Sequence, residues 1–187
     1  MGIVTRKNYL FLSVSCGSLV NKKKEIKTNG YEGTIIDCRE TEDEYEGKKV
    51  LKIEVKMKDN NSDEEAIIKF TKESFFCLGF FARISKIDIT KPFVIGVMGS
   101  DQNAKISFCY LKQEGIQKVE ADKEFPKPEK IDLGGGKEVF SFIKPFEAIE
   151  KIMSDLKSKI TVTAPPATEP VENDAPTTGS EKDDLPF

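Results

Sequence analysis

Residues 48–58 read KKVLKIEVKMK. Leu51, Ile53, Val55 and Met57 alternate with Lys52, Glu54 and Lys56, the period-two pattern of a strand with one face buried and one face wet. No other stretch of the chain carries so clear a signal, and its neighbours take their meaning from it. On its N-terminal side, YEGTIIDCRE (31–40) reads as a strand, joined through the acidic loop TEDEYEG (41–47). Further back, YLFLSVS (9–15) reads as the first strand. The basic, polar connection SLVNKKKEIKTNG (18–30) follows it, closed by the turn pair Asn29 and Gly30. On the C-terminal side, DNNSDEE reads as a loop and AIIKFT (66–71) as a short strand that extends the hairpin.

The pattern changes at TKESFFCLGFFARISKI (71–87). Phe76, Phe80, Ile84 and Ile87 follow helical spacing, with Thr71 as the expected cap and Glu73 in the first turn. KPFVIGVMG and AKISFCYLKQ read as two further strands about an SDQN turn, and GIQKVEAD as a last short strand. Strand, strand, strand with an extra, helix, strand, strand is the order of an OB-fold. This is a mainly β, five-stranded Greek-key barrel with its helix between the third and fourth strands. SH3-like barrels are a rival, although a full helix at that place is unusual for them.

Three regions follow: residues 1–123 as the barrel, 124–160 as an irregular connection and a helix, and 161–187 as a tail. In the middle region EFPKPEK is broken by proline and LGGGK reads as a loop. PFEAIEKIMSDLKSKI then reads as an amphipathic helix with Pro145 in its first turn. Its stripe of Phe146, Ile149, Ile152, Met153, Leu156 and Ile160 is expected to pack on the barrel, with a homo-oligomer contact as the alternative use. The tail is rich in Pro, Thr, Ala and acidic residues and has little to bury, so disorder is expected.

Composition excludes more than it selects. With no histidine and no CxxC spacing among Cys16, Cys38, Cys77 and Cys109, a zinc site is not expected, and each thiol lies in an apolar run. DNNSDEE has oxygen ligands for calcium but not the spacing of an EF-hand loop. LGGGK lacks the P-loop pattern. No cofactor and no enzymatic activity are expected, because no histidine is present to act as general base. No stretch is long enough to span a membrane. The N-terminal run NYLFLSVSC is too short and serine-interrupted for a signal segment, and Arg6 stands where a myristoylation motif needs Ser or Thr. A cytoplasmic protein is the expectation.

The net charge of -3 is unevenly divided. Through Ile160 there are 28 Lys and Arg against 26 Asp and Glu; beyond it, Lys182 stands against six carboxylates. A slightly basic body with an acidic tail points to nucleic acid. Candidate phosphate contacts are Lys22, Lys23, Lys24 and Lys27 in the first connection, Arg39, and Lys52, Lys56 and Lys58 on the polar side of the 48–58 strand. Candidate stacking platforms are Tyr9, Tyr31, Phe108 and Tyr110, with Phe11 also on a proposed strand.

The sequence ends EKDDLPF. Asp183, Asp184, Leu185, Pro186 and Phe187, following an acidic linker and a small β-barrel candidate, resemble the tip of single-stranded DNA-binding proteins of bacteria and their phages. Bacterial members end in acidic residues followed by Ile-Pro-Phe. The resemblance implies that these five residues dock into replication and repair enzymes, and that the barrel coats single-stranded DNA without strong sequence preference. The body lacks the Trp residues and the glycine-rich first strand of bacterial members and adds a helix, so a divergent, phage-like member is implied. The alternative is an interaction protein that borrows the tip but binds no DNA.

Overall fold

The computed structural model describes residues 9–60, 62, 64–103, 105–115, 118–135 and 138–163. The tip residues Asp183, Asp184, Leu185, Pro186 and Phe187, and the tail from 164 onward, lie outside the described residues.

Eight strands form one mainly antiparallel sheet that curls strongly into a half-barrel. In chain order they are β1 (Tyr9–Ser15), β2 (Ser18–Asn21), β3 (Ile26–Thr28), β4 (Gly30–Tyr45), β5 (Lys48–Lys58) and β6 (Glu65–Thr71), then, after helix α1 (Phe75–Ile84), β7 (Phe93–Gly99) and β8 (Ser107–Gln113). Their spatial order is β3-β2-β1-β6-β5-β4-β7-β8, and β1 lies parallel to β6. A separate hairpin, β9 (Glu129–Asp132) and β10 (Glu138–Ser141), precedes helix α2 (Ile143–Thr163). Among the described residues no helix is long and apolar enough to cross a membrane.

The alternation of β5 is realised as expected. Ile53, Val55 and Met57 are fully buried, while Lys52, Glu54 and Lys56 project from the opposite face. Four expectations about strands need correction. The connection before the last helix is not irregular throughout, since β9 and β10 pair within it. The acidic stretch 41–47 is not a loop: β4 continues through Tyr45 and pairs residue by residue with β5 down to a two-residue turn at Glu46 and Gly47. Both turn residues have positive φ (51° and 74°), the backbone that matches strand twist in a tight hairpin. The basic connection 18–30 is likewise not irregular, because β2 and β3 form a hairpin within it around a turn at 22–25. Finally, residues 118–122 form no strand, although the Val119 amide donates to the Leu111 carbonyl at 3.0 Å. Lysines and carboxylates had masked the strands here. Cross-strand pairs such as Glu42 with Lys49 satisfy the charges at the surface without interrupting the ladder.

Helix α1 fills the curl. Phe76, Phe80, Phe81 and Ile84 are buried against Phe70, Ile95 and Leu111. Its cap is Ser74 rather than Thr71: the Ser74 hydroxyl accepts from the Cys77 amide at 3.1 Å and donates to the Thr71 carbonyl at 2.6 Å. Helix α2 lies along β4 with Ile149, Met153 and Leu156 buried in the same core, so the apolar stripe packs on the barrel. It is fastened by Lys72, which is only 2% exposed. The Lys72 ammonium lies 2.5 Å from Glu40, 3.4 Å from Glu150 of α2 and 4.6 Å from the centre of the Phe146 ring. A cation removed from water this completely requires such partners.

The packing of α2 makes a direct prediction. Ile149→Ala should cost about 2–5 kcal/mol in urea unfolding, as a large-to-small change in a closed core. Ile143→Ala, at a site 69% exposed on the same helix, should stay within about 0.5 kcal/mol.

Candidate nucleic-acid interface

The pleat that buries one side of β1, β4, β5 and β6 presents the other side to solvent, and five of the candidate residues, Tyr9, Arg39, Lys52, Lys56 and Lys58, lie on it. Strand registers align Arg39, Glu54, Lys69, Ser13, Val20 and Lys27 in one rank across six strands. At about 4.8 Å between strands this rank runs for about 24 Å. The next rank holds Asp37, Lys56, Ile67 and Phe11, and beyond it come Lys58, Glu65 and Tyr9. Tyr9, Arg39 and Lys56 therefore line one shallow cavity of about 160 Å3, with Ile67 as its apolar floor. Lys52 stands at the far end of β5, donating to the Thr71 hydroxyl at 2.9 Å.

Two aromatic rings flank this cavity. Phe11 is 56% exposed, unusual for a phenylalanine on a strand, and its ring meets that of Tyr9 edge-on at 6.3 Å. The Lys56 ammonium sits 4.6 Å above the Tyr9 ring and donates to its hydroxyl at 3.3 Å. An exposed ring beside fixed cations is the arrangement on which a base can stack while its phosphate is held.

The cations are not bare. Arg39 donates twice to one oxygen of Glu54, at 2.8 and 2.9 Å, and Lys69 contacts the other oxygen at 3.2 Å. Lys69 also reaches Asp43 at 2.7 Å, and Lys56 reaches Glu65 at 2.7 Å. Partial burial opposes charge on Lys56 and Lys69, but these carboxylates outweigh it and hold both ammonium groups above their ordinary pKa. The hydrogen bonds that Arg39 donates to Glu54 do the same for its guanidinium. Arg39 is 56% exposed, but Glu54 and Glu65 are only 12% and 10% exposed, so each pair joins a wet or half-wet cation to a carboxylate set into the sheet.

The remaining candidates lie elsewhere. Lys22, Lys23 and Lys24 are exposed at the tip of the β2–β3 hairpin. Tyr31 faces the core side of β4, opposite Ile95. Its hydroxyl is buried with no hydrogen-bond partner among the described residues, and burial, then Asp59 and Glu64, push its pKa up. That orientation removes it from the outer face. Phe108 and Tyr110 sit on β8, at the edge of the sheet. The Tyr110 ring lies flat over Gly96, where any Cβ would collide with it, and carries Lys112 at 5.3 Å. Phe108 is 39% exposed beside Phe75 and Met98.

Sequence reading did not single out Lys69, Glu54, Glu65 or Ile67. The alternation of EAIIKFT does set Glu65, Ile67 and Lys69 on one side, but which side is wet depends on the pairing with β1. Among the described residues, no cluster of three metal-ligating side chains occurs.

No protein-family model, curated protein or solved structure matches this chain. The site therefore rests on its own geometry.

Removing one carboxylate tests whether it restrains the cations. Glu54→Gln should elute from a heparin column at higher salt than the parent protein. Its urea stability should fall by about 1–3 kcal/mol, because Glu54 is only 12% exposed and accepts from both Arg39 and Lys69. Elution at the same salt would show that Glu54 does not mask Arg39 and Lys69.

Proposed function

We propose that this protein is a non-enzymatic, cytoplasmic single-stranded DNA-binding protein. It coats single strands without strong sequence preference and recruits replication and repair enzymes through its acidic-apolar tip. The observation that carries the reading is the outer face of β1, β4, β5 and β6, where exposed Phe11 and half-buried Tyr9 lie among Arg39, Lys56 and Lys69. Rings supply sequence-tolerant stacking, worth about 1–3 kcal/mol per base, and the cations supply the salt-dependent backbone term. The fold reading we attach to it is an OB-fold built from β4, β5 and β6, then α1, then β7 and β8. This is three strands, a helix and two strands, with β1, β2 and β3 as an addition that continues the sheet past β6. In an OB-fold the face of the second and third strands binds the oligonucleotide; here those strands are β5 and β6.

The tip, Asp183 to Phe187, carries the family resemblance. Its carboxylates and Phe ring suit a basic-rimmed apolar pocket on a partner enzyme. The acidic tail also suits competition with DNA for the basic face, since tethering makes its effective concentration high. A second reading is an interaction protein that docks through the tip but binds no nucleic acid. It is favoured by the pairing of Arg39, Lys56 and Lys69 with carboxylates.

An oligo-dT titration followed by fluorescence anisotropy, with a duplex control, separates the two readings. Binding to single strands should weaken with salt with a log–log slope of roughly −2 to −3, as three or four phosphate contacts give. Phe11→Ala should lower affinity roughly tenfold, in line with the loss of one stacked base. A chain ending at Ile160 should bind more tightly than the full chain at low salt. No binding by that shortened chain would leave the interaction-protein reading in place.

A further inference from the structure

A second cavity has no part in the proposal so far. It encloses about 400 Å3 where the β1–β2 turn meets the start of α1 and the β7–β8 connection. That volume lies within the usual range of small-ligand sites, about 300–1,000 Å3. Its floor is aromatic, formed by Phe70, Phe75 and Phe76, and its walls carry the hydroxyls of Ser15 and Ser107. Lys105, exposed, stands at the rim.

The walls are held in place. Cys16 and Gly17 form a two-residue turn with φ of 46° and 74° between paired Ser15 and Ser18. A Cβ on Gly17 would lie 2.7 Å from the Gly99 backbone, so only glycine lets the turn seat against the end of β7. The Gly17 amide then donates to the Ser107 hydroxyl at 2.9 Å, tying the turn to β8. The cavity is thus a product of two strand ends locked together and does not depend on a loose loop.

Its position relates it to the outer face. Tyr9, Phe11, Ser13 and Ser15 alternate along the exposed side of β1, and Ser15 lines the cavity. From Phe11 to Ser15 is about 13 Å along the strand. A single strand stacked on Phe11 and following β1 arrives at the cavity mouth. The ligand that uses every wall is flat and aromatic, has hydrogen-bonding edges for the serine hydroxyls, and carries an anion for Lys105. Phe75, 45% exposed, is the ring a base could lie against, since Phe70 and Phe76 are only 3% and 1% exposed.

We propose that this cavity receives one unstacked nucleobase of a bound single strand, with the adjoining phosphate at Lys105. The inference rests on the single-strand reading above, and it adds a built pocket to a face that otherwise offers only open stacking.

Cys16 supplies the test, because it is exposed at the cavity wall, whereas Cys38, Cys77 and Cys109 are buried. Burial pushes the Cys38 thiol up to about 12 and raises the other two buried thiols as well. In the full chain at pH 8, DTNB should therefore titrate Cys16 alone at a rapid rate. Saturating oligo-dT should slow that reaction at least roughly tenfold by filling the pocket. An abasic deoxyribose-phosphate oligomer of equal length, also at saturation by anisotropy, should slow it less than about twofold. As a second arm, Phe75→Ser, at a side chain 45% exposed, should weaken oligo-dT roughly tenfold and leave the abasic oligomer unaffected. Binding of oligo-dT with an unchanged thiol rate, or equal protection by both oligomers, would overturn the pocket while leaving single-strand binding intact. Absence of binding by either oligomer, with the tail removed, would instead remove the single-strand reading and the pocket with it.

Discussion

The sorting of side chains by the pleat of β5 is the constraint on which the rest of this protein depends. Ile53, Val55 and Met57 enter the core because alternate residues of a strand point to opposite faces, and Lys52, Glu54 and Lys56 are thereby sent outward together. A slip of one residue in the pairing with β4 or β6 would exchange the two sets. It would bury three charges and expose three aliphatic side chains. The cost of that exchange fixes the register, and the register in turn aligns Arg39, Glu54 and Lys69 in one rank. The core and the candidate interface are two sides of the same alternation.

The interface is shaped as much by carboxylates as by cations. Glu54 holds Arg39 and Lys69, and Glu65 holds Lys56. Glu54 and Glu65 are only 12% and 10% exposed, and they set the cations in fixed positions along the sheet. A face built this way carries little net charge, and under the single-strand reading phosphates would have to displace its own acids. The outer row of β1 supplies what charge cannot, an exposed Phe11 ring beside Tyr9. Buried Lys72 shows the opposite regime. There the cation is shielded from water between β4 and α2, so its pairing with Glu40 and Glu150 binds the helix to the barrel.

Much of this was legible in the residues. The strand 48–58, the helix around Phe76 and Phe80, and the amphipathic stripe from Phe146 to Ile160 could all be read, because burial on one side imposes a period that a sequence records. The cap of α1 was misplaced by three residues, since Thr71 and Ser74 offer the same hydroxyl and only the end of β6 decides between them. The strands in 18–28, four and three residues long, are too short to show a period, and the strand 41–45 leaves no local trace because Glu42 and Asp43 are neutralised by Lys49 and Lys69 on other strands. Tyr31 was assigned to the interface and turned inward for the same reason: its facing follows from pairing with Ile95, not from its neighbours in sequence.

By itself the sequence determined which segments alternate and which carry charge. It also determined that no histidine serves as a base or metal ligand, and that an acidic-apolar segment ends the chain as given. Tertiary structure alone decided that β1 lies parallel to β6, which brings Tyr9 and Phe11 beside Lys56 and Arg39 from segments about 30 to 47 residues away. It alone brought Gly17 against Gly99 and so enclosed the aromatic cavity. The physical reason is common to both. Periodicity is a local consequence of burial, whereas adjacency depends on how a curled sheet closes, and that is set by all of its strands at once.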